Sequence, residues 1–196
     1  MAYKKVTYND KPAKLEVFNK KHKLFRSLPI HKKALELGLR VPKIYDVKNK
    51  GGSIYKITEW VEGNTIHDEM ENNPDSIEQI CVDLARYISE FRDAGRMSPV
   101  DNHFKNFIWN SGSVVYVDLK KLLYETYDEH IMRMSKLCLK NCRGEYKRRK
   151  VLAFLNGYAK HGNVRDVIEE CDKRRWLWGN ESMNPIILEM LEYKEV

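Results

Sequence analysis

The chain has 196 residues, of which 42% are hydrophobic, so it is long enough for one ordinary domain or one small two-lobed unit. Its charged residues make up 32% and its net charge is +7. No run of about 18 apolar residues occurs, so we expect no transmembrane helix. The start, MAYKKVTYNDKPAK, lacks the apolar centre of a signal peptide. These features predict a cytoplasmic protein.

Charge is distributed unevenly along the chain. Residues 1–50 carry 14 Lys/Arg against 4 Asp/Glu, residues 51–132 carry 7 against 15, and residues 133–196 carry 14 against 9. Basic flanks of this kind attract nucleic acid, an anionic membrane surface or a phosphorylated substrate, or they form a solvated lysine-rich surface. The chain has no zinc-finger spacing or aromatic-interleaved RNA motif, which disfavours nucleic acid.

Four cysteines occur, at Cys81, Cys138, Cys142 and Cys171, and none belongs to a CxxC pair. The CxxxC spacing of Cys138 and Cys142 has no matching second pair and is weak support for a metal site. We expect four reduced thiols in a cytosolic core.

The first third of the chain has the pattern of strands around one helix. Asn9–Pro12 has turn chemistry between apolar stretches. We expect strands over 4–8, 13–18, 41–47 and 53–60, a loop over 48–52, and a helix over 19–38, interrupted near Pro29 and stopped by Gly38.

The remainder has a mainly helical pattern with one hairpin. Residues 77–94 place apolar side chains at helical spacing, and Gly95 ends the pattern. A connector over 61–64 precedes this helix and a polar, irregular stretch over 97–106 follows it. The strands 107–110 and 114–117 then form a hairpin, and helices follow from Tyr127 almost to the end. The order predicts an α+β fold with two lobes rather than a doubly wound sheet.

Asp101, Asn106 and Asp118 have the spacing of a phosphoryl-transfer centre. Such a centre needs one carboxylate to hold Mg²⁺ against nucleotide phosphates, an amide oxygen as a second metal ligand, and another carboxylate to orient the attacking hydroxyl. Asp101 and Asn106 lie five residues apart on one loop, and Asp118 follows the predicted hairpin.

Together these motifs resemble the protein-kinase-like superfamily, over roughly residues 13–135. His103 matches the Asp-x-His-x-x-Asn loop of aminoglycoside and choline kinases, and Glu59-Trp-Val-Glu-Gly63 is similar to the hinge of those families. Asn106-Phe-Ile108 with Val117-Asp-Leu119 is most similar to the lipopolysaccharide core heptose kinases.

The resemblance implies a two-lobed kinase-like fold, with a reduced β-rich lobe over 1–59 and a helical lobe over 63–196. In it Asp101 is the catalytic base or hydroxyl-orienting residue, and Asn106 and Asp118 bind Mg²⁺. His103 orders the loop through a hydrogen bond. Lys105 contacts the γ-phosphate or an anionic substrate.

The same resemblance implies how ATP is held. Lys14 grips the α- and β-phosphates from its strand, and the backbones of Glu59, Trp60 and Val61 contact adenine. The alternatives are a core role for Trp60, an exposed strand lysine for Lys14 and solvated surface residues for His103 and Lys105.

Three features depart from the family pattern. No glycine precedes Gly38, so the glycine-rich loop is absent or shortened. Glu36 is the only acid in residues 19–45, and His31 lies nearer the place where an acid is expected to pair with Lys14. Leu119-Lys120-Lys121 puts two lysines after the metal-binding Asp118.

The resemblance therefore implies an ATP- and Mg²⁺-dependent kinase that phosphorylates a hydroxyl, with a sugar or glycolipid as the favoured acceptor. One alternative is a degenerate kinase that binds nucleotide or a partner without turnover. The other is a basic module that binds anions or nucleic acid. The sequence predicts no oligomeric state.

Overall fold

The computed structural model describes residues 3–18, 21–99, 101, 103–110, 112–119, 122–141 and 146–174. The strands in these ranges are β1 (Tyr3–Tyr8), β2 (Lys11–Phe18), β3 (Ile44–Lys50), β4 (Ser53–Glu59), β5 (Asn64–Thr65), β6 (Met97–Pro99), β7 (Phe107–Asn110), β8 (Ser113–Tyr116) and β9 (Leu122–Tyr124). The α-helices are α1 (Lys21–Glu36), α2 (Ile66–Asn72), α3 (Ile77–Gly95), α4 (Tyr127–Asn141), α5 (Lys147–Tyr158) and α6 (Val164–Arg174). The predicted α+β class is confirmed.

The first sheet is antiparallel with strand order β1-β2-β4-β3. Its first hairpin turns at Asn9 and Asp10, whose φ angles of 49° and 60° are the positive values that a tight two-residue hairpin needs. The predicted strand–turn–strand is confirmed. The next predicted strand was placed too early, because β3 extends through Lys50 by pairing with Ser53.

Helix α1 runs through Pro29 without a break, so the predicted interruption is wrong. Ile30 and Ala34, on either side of the next turn, are buried in the main core. Packing of this face outweighs the local cost of the proline. The helix ends near the predicted stop, with Gly38 at φ 72°.

Two of the observed elements were not predicted from the sequence. Residues 97–106 were expected to be irregular, yet β6 pairs with β9, which follows the hairpin in the chain. Three-residue strands are too short to show a period. The side chains of Met97 and Ser98 are buried, and this burial favours the pairing. Helix α2 was also missed; Thr65 caps it by accepting a hydrogen bond from the Asp68 N–H at 3.1 Å.

The predicted long helix is confirmed as α3, which packs closely on α5. An added Cβ at Gly157 would lie 2.9 Å from Val82 Cα, so only glycine permits this approach. Most buried apolar side chains form one core around these helices, and a smaller cluster of Phe18 and Ile54 lies under the first sheet.

Within the described ranges, none of the helices has the length and apolar character needed to cross a membrane. Cys81, Cys138 and Cys171 are buried, and Cys142 lies outside the described residues.

Candidate functional site: a cleft between the first sheet and the β7–β8 hairpin

A cleft of about 440 Å³ lies between the first sheet and the β7–β8 hairpin. Its volume is in the range of small-molecule sites. The lining comes from six stretches of the chain and consists of Tyr3, Lys5, Lys14, Pro42, Glu59, Trp60, Val61, Glu62, Gly63, Thr65, Lys105, Asn106, Ile108, Val117 and Asp118.

Most of the predicted site residues line this one cleft. They are Lys14, the connector Glu59–Val61, Lys105, Asn106 and Asp118. Asp101 and His103 are half-buried in the same loop as Asn106 but do not belong to the described lining. The structure thus brings together the residues predicted to bind phosphate, to form the connector and to bind metal. These residues lie up to about a hundred positions apart in the chain.

Backbone and amide hydrogen bonds hold the loop of Asp101 against Asp118. The Asn106 side-chain nitrogen donates to the Asp101 carbonyl oxygen at 3.0 Å, and the Asn106 N–H donates to the His103 carbonyl oxygen at 2.7 Å. The Asn106 carbonyl oxygen then accepts from the Val117 N–H at 2.9 Å. Asn106 is therefore the residue that joins the loop to the strand end carrying Asp118.

Asp101 and Asp118 both lie near the buried hydroxyl of Tyr116. Burial raises the pKa of Tyr116, and the negative charges of Asp118 and Asp101 raise it further. Both carboxylates therefore contribute negative charge to the surroundings of this hydroxyl.

His103 does not order the loop through its ring Nδ1, which is buried and has no hydrogen-bond partner among the described residues. Its backbone carbonyl makes the loop contact instead. Burial lowers the pKa of His103, and the charge of Lys140 adds to this effect.

Asn106 and Asp118 fit the part of a Mg²⁺ site that a protein supplies. Because the Asn106 amide nitrogen donates to Asp101, its amide oxygen is the atom that remains for a cation. Among the described residues no group of three His, Cys, Asp or Glu side chains is placed to hold a metal. Mg²⁺ is commonly held by one or two carboxylates and by substrate phosphates, so a smaller protein set is chemically sufficient.

Lys14 reaches from β2 to the strand end beside Asp118. Its Nζ donates to the Val117 carbonyl oxygen at 3.2 Å and lies 4.9 Å from the ring centroid of Tyr3. With 16% of its side chain exposed, Lys14 faces the cleft rather than open solvent. An exposed strand lysine, the alternative interpretation, is not what the structure shows.

The connector after β4 is fixed against both sides of the cleft. Lys5 Nζ lies 4.6 Å from the ring centroid of Trp60 and 3.1 Å from Glu62 Oε1. Gly63 has φ 129°, and a Cβ there would lie 2.8 Å from Ile108 Cγ2. The glycine therefore lets the connector pass directly over the hairpin.

Sequence reasoning missed Glu16 and Lys56, which form a buried ionic cluster with Lys14. Glu16 Oε1 lies 3.2 Å from Lys14 Nζ, and Glu16 Oε2 lies 3.3 Å from Lys56 Nζ. The strand period contained a signal for both. Glu16 follows Lys14 by two residues, and Lys56 lies between Ile54 and Thr58 on the same buried face of β4.

His31, from α1, is fully buried beside this cluster. Its Nε2–H donates to the Pro42 carbonyl oxygen at 2.7 Å. Burial and the charge of Lys56 lower the pKa of His31 to about 4. The ring is therefore neutral at pH 7, and α1 brings no carboxylate to Lys14 at this position. Glu36, the other candidate, lies on the surface and pairs with Lys33 at 3.4 Å.

We expect acid to destabilise the protein through His31. In the unfolded chain this histidine takes up a proton near pH 6.5, but in the folded protein only near pH 4. The unfolded state binds more protons between these values, so the free energy of unfolding falls as pH drops through this window. The loss attributable to His31 at pH 5 relative to pH 8 is about 2 kcal/mol.

Urea unfolding at pH 8 and pH 5 measures this loss. His31→Gln retains a side-chain N–H for Pro42 but has no group that titrates. Between pH 8 and pH 5 the variant should lose about 2 kcal/mol less of its free energy of unfolding than the wild type loses. Equal pH sensitivity in the two proteins would contradict the assignment.

Lys120 and Lys121, the basic residues that follow Leu119, lie outside the described residues. Leu119 itself is buried in the main core.

Comparison with models of known protein families finds none that matches the chain, and a search of curated proteins finds no significant match.

Proposed function

We propose that the protein is an ATP- and Mg²⁺-dependent phosphotransferase with a two-lobed, protein-kinase-like fold, acting on a hydroxyl of a sugar or glycolipid. In this proposal residues 1–59 form the reduced first lobe and residues 63–196 the helical lobe. The observation that carries it is the single cleft that gathers Lys14, the Glu59–Val61 connector, Asn106 and Asp118. The proposal includes a cytoplasmic location, where ATP is available.

Each residue has a defined part in the proposed reaction. The connector backbone binds adenine, and Lys14 binds phosphate oxygens. Asn106 and Asp118 hold Mg²⁺, which neutralises phosphate charge when bound. Lys105, exposed at the rim, attracts the γ-phosphate or an anionic group of the acceptor.

In the transfer itself Asp101 orients the acceptor hydroxyl. The hydroxyl oxygen forms a bond to the γ-phosphorus while the bond from that phosphorus to the bridging oxygen of ADP breaks. The hydroxyl proton passes to the Asp101 carboxylate, and ADP leaves with the bonding electron pair. The role of Asp101 is mainly positional, because the transition state of phosphoryl transfer is loose.

Thermal unfolding with Mg²⁺ and ATP tests the proposal. At about 100 times the dissociation constant a ligand stabilises the folded state by about 2.7 kcal/mol. For a protein of this size this corresponds to a rise in melting temperature of about 5–10 °C. No shift with Mg·ATP, Mg·ADP or adenosine would refute the nucleotide site.

A second measurement separates the alternatives. ADP release is followed with a panel of sugar and glycolipid acceptors, and turnover with at least one of them is expected. Stabilisation by Mg·ATP without ADP release on any acceptor would favour a degenerate kinase. Binding to nucleic acid that weakens steeply with salt, together with no nucleotide-induced shift, would favour the basic binding module.

A further inference from the structure

Glu16 joins two lysines with its two carboxylate oxygens. It lies two residues after Lys14 on β2, so both side chains leave the same face of the strand. Lys56 is its direct partner across the antiparallel pair of β2 and β4. Lys14 Nζ is 3.2 Å from Oε1 and Lys56 Nζ is 3.3 Å from Oε2. Each oxygen therefore has its own lysine.

The three side chains differ in how far they reach the cleft. Their exposed fractions are 1% for Lys56, 6% for Glu16 and 16% for Lys14. Breaking a buried ion pair leaves an uncompensated charge, which is strongly unfavourable, so the Glu16–Lys56 pair is held in place. Lys14 is the member of the cluster that reaches the cleft, beside Val117 and Asp118.

The electrostatics agree with this geometry. Burial alone raises the pKa of Glu16, but the charges of Lys56 and Lys14 outweigh it and hold the pKa below its ordinary value. Asp118 also acts on Lys56, because its charge opposes the lowering of the Lys56 pKa by burial. The cluster thus lies within electrostatic range of the carboxylate proposed to hold Mg²⁺.

We propose that Glu16 is the positioning residue that holds Lys14 toward the nucleotide phosphates, with Lys56 fixing the Glu16 carboxylate in this role. This inference rests on the proposed nucleotide function. In the family pattern a helix supplies the acid that pairs with the lysine, but here Glu16 on β2 supplies it. The register of the strands, and not the position of a helix, therefore sets the contact between Glu16 and Lys14. Two lysines against one carboxylate leave an excess positive charge that phosphate oxygens complement.

Isothermal titration with Mg·ADP and with adenosine tests the inference. The proteins compared are the wild type, Glu16→Gln, Lys14→Met, the double variant, and Glu36→Gln as a surface control. Glu16→Gln should bind Mg·ADP roughly tenfold more weakly, the effect of weakening one charge-assisted hydrogen bond, and should bind adenosine as the wild type does. The double variant should be no weaker than Lys14→Met, because both changes act through one contact.

A purely structural Glu16 gives a different result. In that case Glu16→Gln lowers the melting temperature, while the ratio of adenosine to Mg·ADP affinity stays at the wild-type value, and the inference is overturned. A wild type that binds neither ligand refutes the nucleotide function itself. If Glu16→Gln does not fold, Glu16→Asp retains the charge but shortens its reach. It should show the same selective loss for Mg·ADP, and an unchanged ratio would equally overturn the inference.

Discussion

Asp118→Asn is expected to lower phosphotransfer at least ~10³-fold, the scale on which loss of a preorganised charge at a phosphoryl-transfer site acts. The substitution retains the size of the side chain and removes its negative charge. Asp118 is the only carboxylate among the two proposed Mg²⁺ ligands, since Asn106 supplies a neutral oxygen. Losing it leaves the cation without a charged protein ligand.

The same substitution should remove the Mg²⁺-dependent part of ATP binding. We expect the extra stabilisation that Mg²⁺ adds to ATP in the wild type to disappear, while ATP alone still raises the melting temperature through Lys14 and the connector. Thermal unfolding with ATP, with and without Mg²⁺, measures this directly. ADP release measures the loss of turnover.

Asp75→Asn is the matched control, because Asp75 is exposed and does not line the cleft. It should behave as the wild type in both measurements. An Asp118→Asn protein that retains wild-type Mg²⁺ dependence would refute Asp118 as a metal ligand.

Glu125→Ala is expected to have the largest effect on stability, a loss of about 3–5 kcal/mol in the free energy of unfolding. The Glu125 side chain is 1% exposed and lies 2.8 Å from His130 Nδ1 and 2.7 Å from Arg133 Nε. His130 Nε2 continues the network to the Tyr158 hydroxyl at 3.0 Å. Removing the carboxylate leaves Arg133, itself 11% exposed, without its buried counter-charge.

Urea unfolding of Glu125→Ala and Glu169→Ala at pH 7 checks this expectation. Glu169 lies 2.9 Å from Arg165, and the two side chains are 43% and 70% exposed. An exposed pair of this kind contributes little, so its loss should change the free energy of unfolding by less than about 0.5 kcal/mol. Similar losses in the two variants would show that burial does not govern the Glu125 network.

The elements with a repeating local pattern were predictable from the sequence. The first hairpin has turn residues that accept positive φ, and α3 has nineteen residues with one apolar face. Residues with no such pattern were not predictable. β6 and β9 have three residues each, too few to show a period, and both strands are buried only where Pro99 pairs with Leu122. Pro29 predicts a break by its local chemistry, but packing of α1 keeps the helix continuous.

The candidate site also contains residues that the sequence indicated and residues that it did not. Spacing along the chain indicated Asp101, Asn106 and Asp118, and the structure brings Asn106 and Asp118 into one cleft with Lys14. Their roles in nucleotide and metal binding stay predictions. Spacing did not indicate the acid partner of Lys14, because the family pattern places that acid on a helix whereas Glu16 lies on β2.

The sequence by itself determined the α+β class, the first hairpin and the long helix, because each depends on neighbours a few positions apart. Only the tertiary structure decided that Glu16 pairs with both Lys14 and Lys56, and that His31 is buried and neutral beside them. These outcomes depend on strand register and burial. Both arise from contacts between residues distant in the chain, and burial sets the free energy of each charge.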